Sequence, residues 1–336
     1  MRRNSLVGAA AATLAATALA WTPSAAATPA AVQAGPDSVE VHAAAESRSE
    51  HRRIVDYWTP ARMRNAVPGD RIVAGRSKDS AGGSVQRGTP TVIGPRAKPS
   101  KQGKPGTSQD GTGGYYTGGG EIVETTGKVF FTLGGTNYVC SGSATTSSNR
   151  DVVLTAGHCL NEGPGDYATN FAFVPAYDDG DRPFGTFTAR ALVTTSQWAE
   201  SGDFDYDVGY AVMNALGGQH LTDVVGSQGI GFNQARGELT YAFGYPAARP
   251  YDGTDIAYCY DTVFADTYYG SQDQGMDCDM TGGSSGGPWL IDYDSTAGTG
   301  TLNSVNSFGY RGVKDVMWGP YLGSVAQSAY TTASSM

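Results

Sequence analysis

The chain has no apolar run long enough to cross a membrane. Its Ala-rich stretch at residues 6–19 is shorter than the roughly 20 residues that a spanning helix needs. A short basic start precedes this stretch, and residues 22–27 read TPSAAA, which ends in the small-x-small pattern that a signal peptidase cleaves. Residues 1–27 are therefore predicted to be a signal peptide, and the remainder is expected to be secreted, extracellular and without a membrane partner.

Cysteine is scarce, with only four in 336 residues. An even number in an exported chain predicts disulfides rather than free thiols. Three pairings are possible, and the sequence favours the local one, Cys140 with Cys159 and Cys259 with Cys278, each worth about 3 kcal/mol on the chain-entropy estimate. A zinc site is disfavoured because the chain has no Cys-x-x-Cys pair and few histidines. No metal or other cofactor is expected.

Positive charge is scarce beyond residue 105. Residues 1–105 hold 15 Lys and Arg against 7 Asp and Glu, whereas residues 106–336 hold 8 against 25. The acidic part would repel nucleic acid, which is excluded as a partner. Residues 28–115 are basic and end in a Gly-rich linker, so they are predicted to be a poorly structured pro-region that docks on the acidic body by charge complementarity and is later removed. Alternatively, the acidic surface only keeps the protein soluble.

Long amphipathic helices are absent from most of residues 116–336, the predicted folded domain. Short runs rich in β-branched and aromatic residues recur instead, as at residues 129–133 and 302–308, and Gly, Asn, Asp and Pro separate them. Near the C-terminus, apolar residues within 321–330 are spaced to line one helical face. The pattern predicts an all-β barrel or sandwich architecture with a short C-terminal helix.

Histidine, the usual general base, is scarce, and the acidic body has only His158 and His220. His158 lies in LTAGHC at residues 154–159, where an apolar strand ends in small residues and the next residue is a predicted disulfide cysteine. His220 lies in a GGQH turn with no neighbouring chemistry. His158 is therefore the candidate general base, and a purely structural histidine is the alternative.

Ser285 is framed by glycines in GGSSGGP at residues 282–288. A seryl hydroxyl that attacks a carbonyl creates an oxyanion, which converging backbone N–H groups stabilise. The preceding glycine permits the tight turn that this needs, so Gly283 and Ser285 are predicted to supply the two N–H groups. Ser284 is the competing nucleophile, and a flexible Gly/Ser loop without chemistry is the other alternative.

A third group must hold the imidazole in the correct tautomer, and a carboxylate beside an apolar strand suits that role. Residues 203–212 read DFDYDVGYAV and offer three aspartates. Asp207 directly enters the apolar run and is preferred to Asp205. The Asp-x-Asp-x-Asp pattern is also found in calcium loops, but it lacks the following Gly and the later Glu.

The three motifs, TAGHC, DVGY and GGSSGGP in that order, resemble the signatures of chymotrypsin-like serine peptidases, most closely the bacterial secreted branch related to glutamyl endopeptidases. The resemblance implies two six-stranded antiparallel β-barrels, with His158 and Asp207 from the first and Ser285 from the second. It also implies a serine endopeptidase, made as a pro-enzyme, that cleaves proteins or peptides through an acyl-enzyme, and a bridge between Cys140 and Cys159. An α/β-hydrolase is disfavoured because no histidine follows Ser285.

Substrate preference rests on a few positions of the same resemblance. Asp279 lies where trypsin-like members hold the carboxylate that selects Lys or Arg, and Ser307, Phe308 and Gly309 match the substrate-binding segment. Asn306 stands where glutamyl endopeptidases usually have a histidine. Basic residues are therefore slightly favoured over Glu at the cleavage site.

The sequence departs from animal trypsin-like enzymes at Ser284, where they carry the aspartate that pairs with the new N-terminus after activation. Removal of the pro-region is therefore expected to activate the enzyme by uncovering or ordering the cleft. The chain is expected to act as a monomer on protein or peptide substrates, with its own pro-region as a further partner. The alternative to an enzyme is a catalytically silent, peptidase-like binding module.

Overall fold

The computed structural model describes Met1 and residues 38–76, 85–96 and 113–336. The chain divides into two units, Met1–Gln33 and Ala34–Met336, and the description below concerns the second. Apart from Met1, the predicted signal peptide lies outside the described residues, as does most of the predicted linker. No helix in the described ranges is long and apolar enough to span a membrane.

The N-terminal segment, defined here as residues 38–76 and 85–96, contains more regular structure than its composition predicted. Helix α1 begins at a capping box, in which Ser47 and Glu50 satisfy each other's backbone N–H groups. Thr59 caps the next helix. The elements are β1 (Val39–Ala43), α1 (Arg48–Tyr57), α2 (Pro60–Arg64), β2 (Val67–Pro68), α3 (Asp70–Val73) and β3 (Thr91–Ile93).

A closed antiparallel barrel forms the first half of the body, after β4 (Gly114–Tyr115) and α4 (Glu121–Thr125). Its strands are β5 (Thr126–Leu133), β6 (Thr136–Thr145), β7 (Val152–Thr155), β8 (Thr169–Pro175), β9 (Phe187–Thr195) and β10 (Gly209–Met213). They pair in the order β9-β10-β7-β6-β5-β8, and β8 pairs again with β9, which closes the barrel. Gly134 and Gly135, both at positive φ, make the two-residue turn between β5 and β6.

The second half of the body is built from two sheets. Helix α5 (Ser196–Ser201) lies between β9 and β10 of the first half, and α6 (Leu221–Val225) leads into the second. The strands of the second half are β11 (Gly229–Phe232), β12 (Leu239–Gly244), β13 (Ala257–Thr262), β14 (Phe264–Ala265), β15 (Gln274–Asp277), β16 (Pro288–Asp294), β17 (Thr299–Val305) and β18 (Val316–Gly319). The seven-stranded sheet has the order β3-β11-β17-β16-β12-β13-β4, and the three-stranded sheet the order β14-β15-β18. A β-bridge between Phe308 and Trp318 and the disulfide Cys259–Cys278 connect them. The predicted all-β class is confirmed.

The N-terminal segment attaches to both halves of the body through strand pairing and apolar packing. Strand β1 pairs with β9, β2 with β6, and β3 with β11. Trp58 is buried against Phe130, and its indole N–H donates to the Asn170 carbonyl at 2.6 Å. Among the described residues, no ion pair joins this segment to the body. These contacts are therefore not ion pairs, and docking by charge complementarity remains a prediction.

The predicted C-terminal helix is α7 (Ser324–Ser335), which begins after the first residues of the periodic pattern. It contacts β9 and β10 of the first barrel. The Tyr330 hydroxyl donates to the Thr146 carbonyl at 2.6 Å. Because the helix follows β18, it fastens the second half of the body to the first.

Candidate active site

His158 lies just after β7, on a single 3₁₀ turn at Gly157–Cys159. Glycine is needed at 157 because a Cβ there would lie 2.8 Å from the Trp198 ring and 3.0 Å from a carboxylate oxygen of Asp207. Cys159 is disulfide-bonded to Cys140 of β6, the pairing that the sequence favoured. The strand end, the close-packed glycine and the disulfide together fix the position of the fully buried imidazole.

Asp207 follows the 3₁₀ turn Phe204–Tyr206 and precedes β10. Its carboxylate accepts hydrogen bonds from Nδ1 and the backbone N–H of His158, each at 2.7 Å, and from the Ser307 hydroxyl. Burial raises the pKa of this carboxyl, but attraction to His158 and the three hydrogen bonds outweigh burial and hold the pKa below its ordinary value. The ionised carboxylate can only accept, so Nδ1 carries the hydrogen and Nε2 is left as the base.

Asp205, the second candidate for this role, faces a different part of the molecule. Its Oδ1 accepts from the Ser271 hydroxyl at 3.0 Å and from the Gln272 N–H at 2.8 Å. These contacts support the loop between β14 and β15, whereas the imidazole is oriented by Asp207.

Ser285 lies in the loop between β15 and β16, which the first barrel helps to hold. Its carbonyl accepts from the Ser141 N–H of β6 at 2.7 Å and lies 3.8 Å from Cys159 Sγ. The residue is only 4% exposed. Ser284 donates its hydroxyl to the Thr281 carbonyl at 2.8 Å, within the same loop. This bond engages the Ser284 hydroxyl and favours Ser285 as the nucleophile.

Gly283 gives the loop its shape. Its φ of 98° is in the left-handed region, and a Cβ there would lie 2.8 Å from Ala247 Cβ. The Ala247 N–H donates to the Gly282 carbonyl at 2.7 Å, which fixes the peptide that carries the Gly283 N–H. Among the hydrogen bonds of the described residues, neither the Gly283 N–H nor the Ser285 N–H is a donor.

The structure joins His158 to Asp207 directly, and it sets Ser285 beside the disulfide that flanks His158. Nε2 of His158 is buried and has no hydrogen-bond partner in the described part of the chain, so the Ser285 hydroxyl is not bonded to it. Catalytic hydrogen bonds of this kind are often long before substrate binds.

The predicted substrate-binding residues have different surroundings. Asp279 is half-buried, and its carboxylate accepts from the Tyr251 hydroxyl at 2.6 Å. Ser307 is directed to Asp207 instead of to a cleft. Phe308 and Gly309 line a cavity of ≈ 640 Å³.

Asn306 is a supporting residue whose role the sequence did not reveal. Its amide group donates to the carbonyls of Phe243 and Ser284 at 2.9 and 3.1 Å, and its oxygen accepts from the Trp289 indole at 2.7 Å. The side chain therefore ties the nucleophile loop to β12 and β16. Its partners are 63, 22 and 17 residues away in sequence, so no local motif could have indicated these contacts.

One group of three possible metal ligands occurs in the described ranges, formed by Cys140, His158 and Cys159, with ligand atoms within 4.8 Å of one another. Both cysteine sulfurs are consumed by the disulfide between them. They are therefore not thiolates, and this group does not fit a zinc ion.

Comparison with known proteins gives three informative relatives. No family model matches the chain. The protease Anisep from Arthrobacter nicotinovorans is 50% identical, with a TM-score of 0.61, over 70% of this chain and 99% of Anisep. The thermostable serine protease AL20 from an extremophilic microorganism is 44% identical, with a TM-score of 0.61, over 64% of this chain and 99% of AL20.

The third relative is an extracellular metalloprotease of Bacillus subtilis (strain 168), which is 30% identical over 81 residues. That match covers 24% of this chain, and the chain spans about a quarter (25%) of the length of this curated relative. The closed barrel, the buried His–Asp pair and the glycine-framed serine define a serine protease architecture. Together with the identity to Anisep and AL20 over nearly their full lengths, they show that the chain belongs to the chymotrypsin-like serine proteases.

Proposed function

We propose that the protein is a secreted serine endopeptidase in which His158, Asp207 and Ser285 form the catalytic triad. The observation that carries the proposal is the buried pair between His158 and Asp207, held by the backbone N–H of His158 and the Ser307 hydroxyl. A buried carboxylate with a lowered pKa stabilises the imidazolium that forms when histidine accepts a proton. The described residues outside this site contain no second pair with these features.

In this mechanism the Ser285 hydroxyl attacks the carbonyl carbon of the scissile peptide bond while His158 Nε2 accepts its proton. The oxyanion is stabilised by the N–H groups of Gly283 and Ser285, in a loop whose geometry is already fixed. Collapse of the tetrahedral intermediate breaks the C–N bond, and the imidazolium returns its proton to the leaving amine. Water, deprotonated by His158, then hydrolyses the acyl-enzyme and restores Ser285.

The proposed substrates are proteins or peptides, with Lys or Arg slightly favoured over Glu at the cleavage site. Asp279 supports the basic preference because its carboxylate is half-buried and held by Tyr251. Asn306 argues against Glu because it is fully buried and engaged with the nucleophile loop. The N-terminal segment belongs to a pro-region, and removal of residues up to about the Gly-rich linker yields the mature enzyme.

Cleavage of a mixed peptide library by the mature protein tests both activity and preference. We expect hydrolysis that Ser285→Ala abolishes and that Ser284→Ala, the matched control in the same loop, retains. A mature wild-type protein that cleaves nothing in the library would favour the silent binding module instead. Cleavage by Ser285→Ala at the wild-type rate would contradict the assignment of the nucleophile.

A further inference from the structure

The N-terminal segment reaches the candidate active site through β6. The Gly69 N–H donates to the Val139 carbonyl at 2.8 Å. Gly69 also packs so closely that a Cβ there would lie 2.5 Å from Cys140 Sγ. The next residue, Ser141, donates its N–H to the Ser285 carbonyl at 2.7 Å. Three consecutive residues of β6 thus connect the N-terminal segment to the site: Val139 bonds to Gly69, Cys140 belongs to the disulfide, and Ser141 bonds to Ser285.

Asp70 continues this contact onto the nucleophile loop itself. A Cβ at Gly282, three residues before Ser285, would lie 2.2 Å from Asp70 Oδ1 and 2.5 Å from Asp70 Cγ. The carboxylate therefore lies directly against the backbone that precedes the proposed oxyanion hole. Oδ1 is buried and has no hydrogen-bond partner among the described residues.

Val73 fills an apolar site near the turn that carries His158. It is 2% exposed and belongs to a buried cluster with Trp198, Phe204, Phe308, Tyr310 and Trp318. Trp198 also packs near the His158 ring, with ring centroids 6.3 Å apart. Helix α3, which carries Val73, contacts the 3₁₀ turn of His158.

The segment forms one wall of the ≈ 640 Å³ cavity, which Phe308, Gly309 and Tyr310 also line. The lining from the N-terminal segment is Asp70, Val73, Ala74, Gly75 and Arg76. A substrate chain that approached Ser285 along Phe308 and Gly309 would meet this wall. The contacts are made by the backbone, by apolar side chains and by the Asp70 carboxylate, and no ion pair joins residues 69–76 to the body within the described ranges.

We infer that residues 69–76, here called the plug segment, occupy the active-site cleft and hold the protein inactive until the pro-region is removed. This inference rests on the proposed peptidase function. It identifies the inhibitory part of the pro-region and the forces that seat it: Gly69 against the disulfide, Asp70 against Gly282, and Val73 in the aromatic cluster. Long-range charge attraction is not required for the closure.

The test compares variants of the full-length chain with the pro-region intact, labelled by a fluorophosphonate probe of seryl nucleophiles. Val73→Asp places a charge in the apolar cluster, and Gly69→Val brings methyl groups against Cys140 Sγ. We expect both variants to label at Ser285 about tenfold faster than the wild-type pro-enzyme, a change of about 1.4 kcal/mol in the closing equilibrium. Arg71→Ala, an exposed charge on the same helix, is the matched control and should label at the wild-type rate.

Intact mass must show that each labelled chain still carries the pro-region, and circular dichroism must show that it is folded. The inference is overturned if folded Val73→Asp and Gly69→Val pro-enzymes label no faster than wild type, or if wild-type pro-enzyme labels as fast as the mature protein. A faster rate in Arg71→Ala alone would assign the closure to charge and would also overturn it. Absence of labelling in the mature protein contradicts the proposed function instead.

Discussion

The body contains two histidine–aspartate pairs with the same spacing and different surroundings. Nδ1 of His158 lies 2.7 Å from Asp207, and Nδ1 of His220 lies 2.7 Å from Asp151. The His158 side chain is fully buried, whereas that of His220 is 35% exposed. The distance within a pair therefore does not separate the proposed catalytic pair from the other one, whereas the burial of the pair does.

The two carboxylates differ in what else they hold. Among the described residues, Asp207 accepts only from His158 and from Ser307, whose hydroxyl helps to fix the carboxylate beside the imidazole. Asp151 also forms an ion pair with Arg190 at 3.2 Å and accepts from the Leu221 N–H at the start of α6. The second pair therefore fastens a helix to the barrel, and we assign it a structural role.

The largest expected difference is between matched changes in the two carboxylates. Asp207→Asn should lower kcat by about 10⁴, because the amide favours the wrong imidazole tautomer and no longer stabilises the imidazolium. Asp151→Asn should leave kcat unchanged and lower only the melting temperature. Steady-state kinetics of the two mature variants check this, and equal losses of kcat would remove the distinction between the pairs.

A smaller effect is expected at Asp279, which lies outside both pairs. Asp279→Ser should lower kcat/KM for peptides with Lys or Arg at the cleavage site by about 100-fold, equivalent to about 2.7 kcal/mol, because the charge partner is lost. Peptides with apolar residues there should be cleaved as before. Tyr251→Phe, which removes only the hydroxyl bonded to Asp279, serves as the conservative comparison. An unchanged ratio of basic to apolar cleavage in Asp279→Ser would refute the basic preference.

Ser307→Ala tests whether the Ser307 hydroxyl helps to keep Asp207 ionised. The pKa of Asp207 is lowered, so its contribution to stability is complete above the unfolded pKa of about 3.9 and is lost as the pH falls through the folded pKa. Removing the Ser307 hydroxyl raises the folded pKa, because one of the lowering hydrogen bonds is lost. The acid-unfolding midpoint, measured on a Ser285→Ala background to prevent autolysis, should therefore move to higher pH. Ser284→Ala, whose hydroxyl does not reach Asp207, should not move it.

The smallest predicted effect concerns Asp273, a buried aspartate that, unlike Asp207 and Asp151, is not paired with a histidine in the described part of the chain. Burial raises its pKa well above the ordinary value, and the nearby Asp205 and Asp266 add to the shift. A raised carboxyl pKa means that stability falls as the pH rises from the unfolded value of about 3.9 toward the folded pKa. Asp273→Asn should remove this loss and stabilise the protein at pH 7 by about 1 kcal/mol. Denaturant unfolding of wild type and Asp273→Asn at acid and neutral pH measures the two free energies of unfolding. If their pH dependence is the same, Asp273 does not cause the loss of stability.

Local motifs allowed much of the candidate site to be predicted from sequence. Gly157, His158 and Cys159 are adjacent in the chain, and Gly283 and Ser285 belong to one turn, so their chemistry is visible in a short window. The choice of Asp207 over Asp205 rested on the apolar strand that follows it. Ser307 and Asn306 could be placed only by resemblance, because their contacts cross 100 and up to 63 residues of sequence.

The fold class was also predictable, because short runs of β-branched and aromatic residues separated by turn residues indicate strands. The N-terminal segment was not, because its low aromatic content hid the few residues that anchor it. Trp58 and Ile54 are buried in the same apolar cluster as residues of the distant first barrel. Composition predicted attraction between a basic arm and an acidic body, whereas the described contacts are strand pairing, apolar packing and side-chain hydrogen bonds such as that between His51 and Thr188. The proposed boundaries at residues 27 and 115 remain predictions.

The most direct test of the central claim is to locate the reactive serine. Mature protein is labelled with a fluorophosphonate probe, digested and mapped by mass spectrometry. We predict one labelled residue, Ser285, with labelling abolished in Ser285→Ala, slowed strongly in Asp207→Asn and unchanged in Asp151→Asn. Absence of labelling in folded mature protein, or a label that persists in Ser285→Ala, would contradict the account.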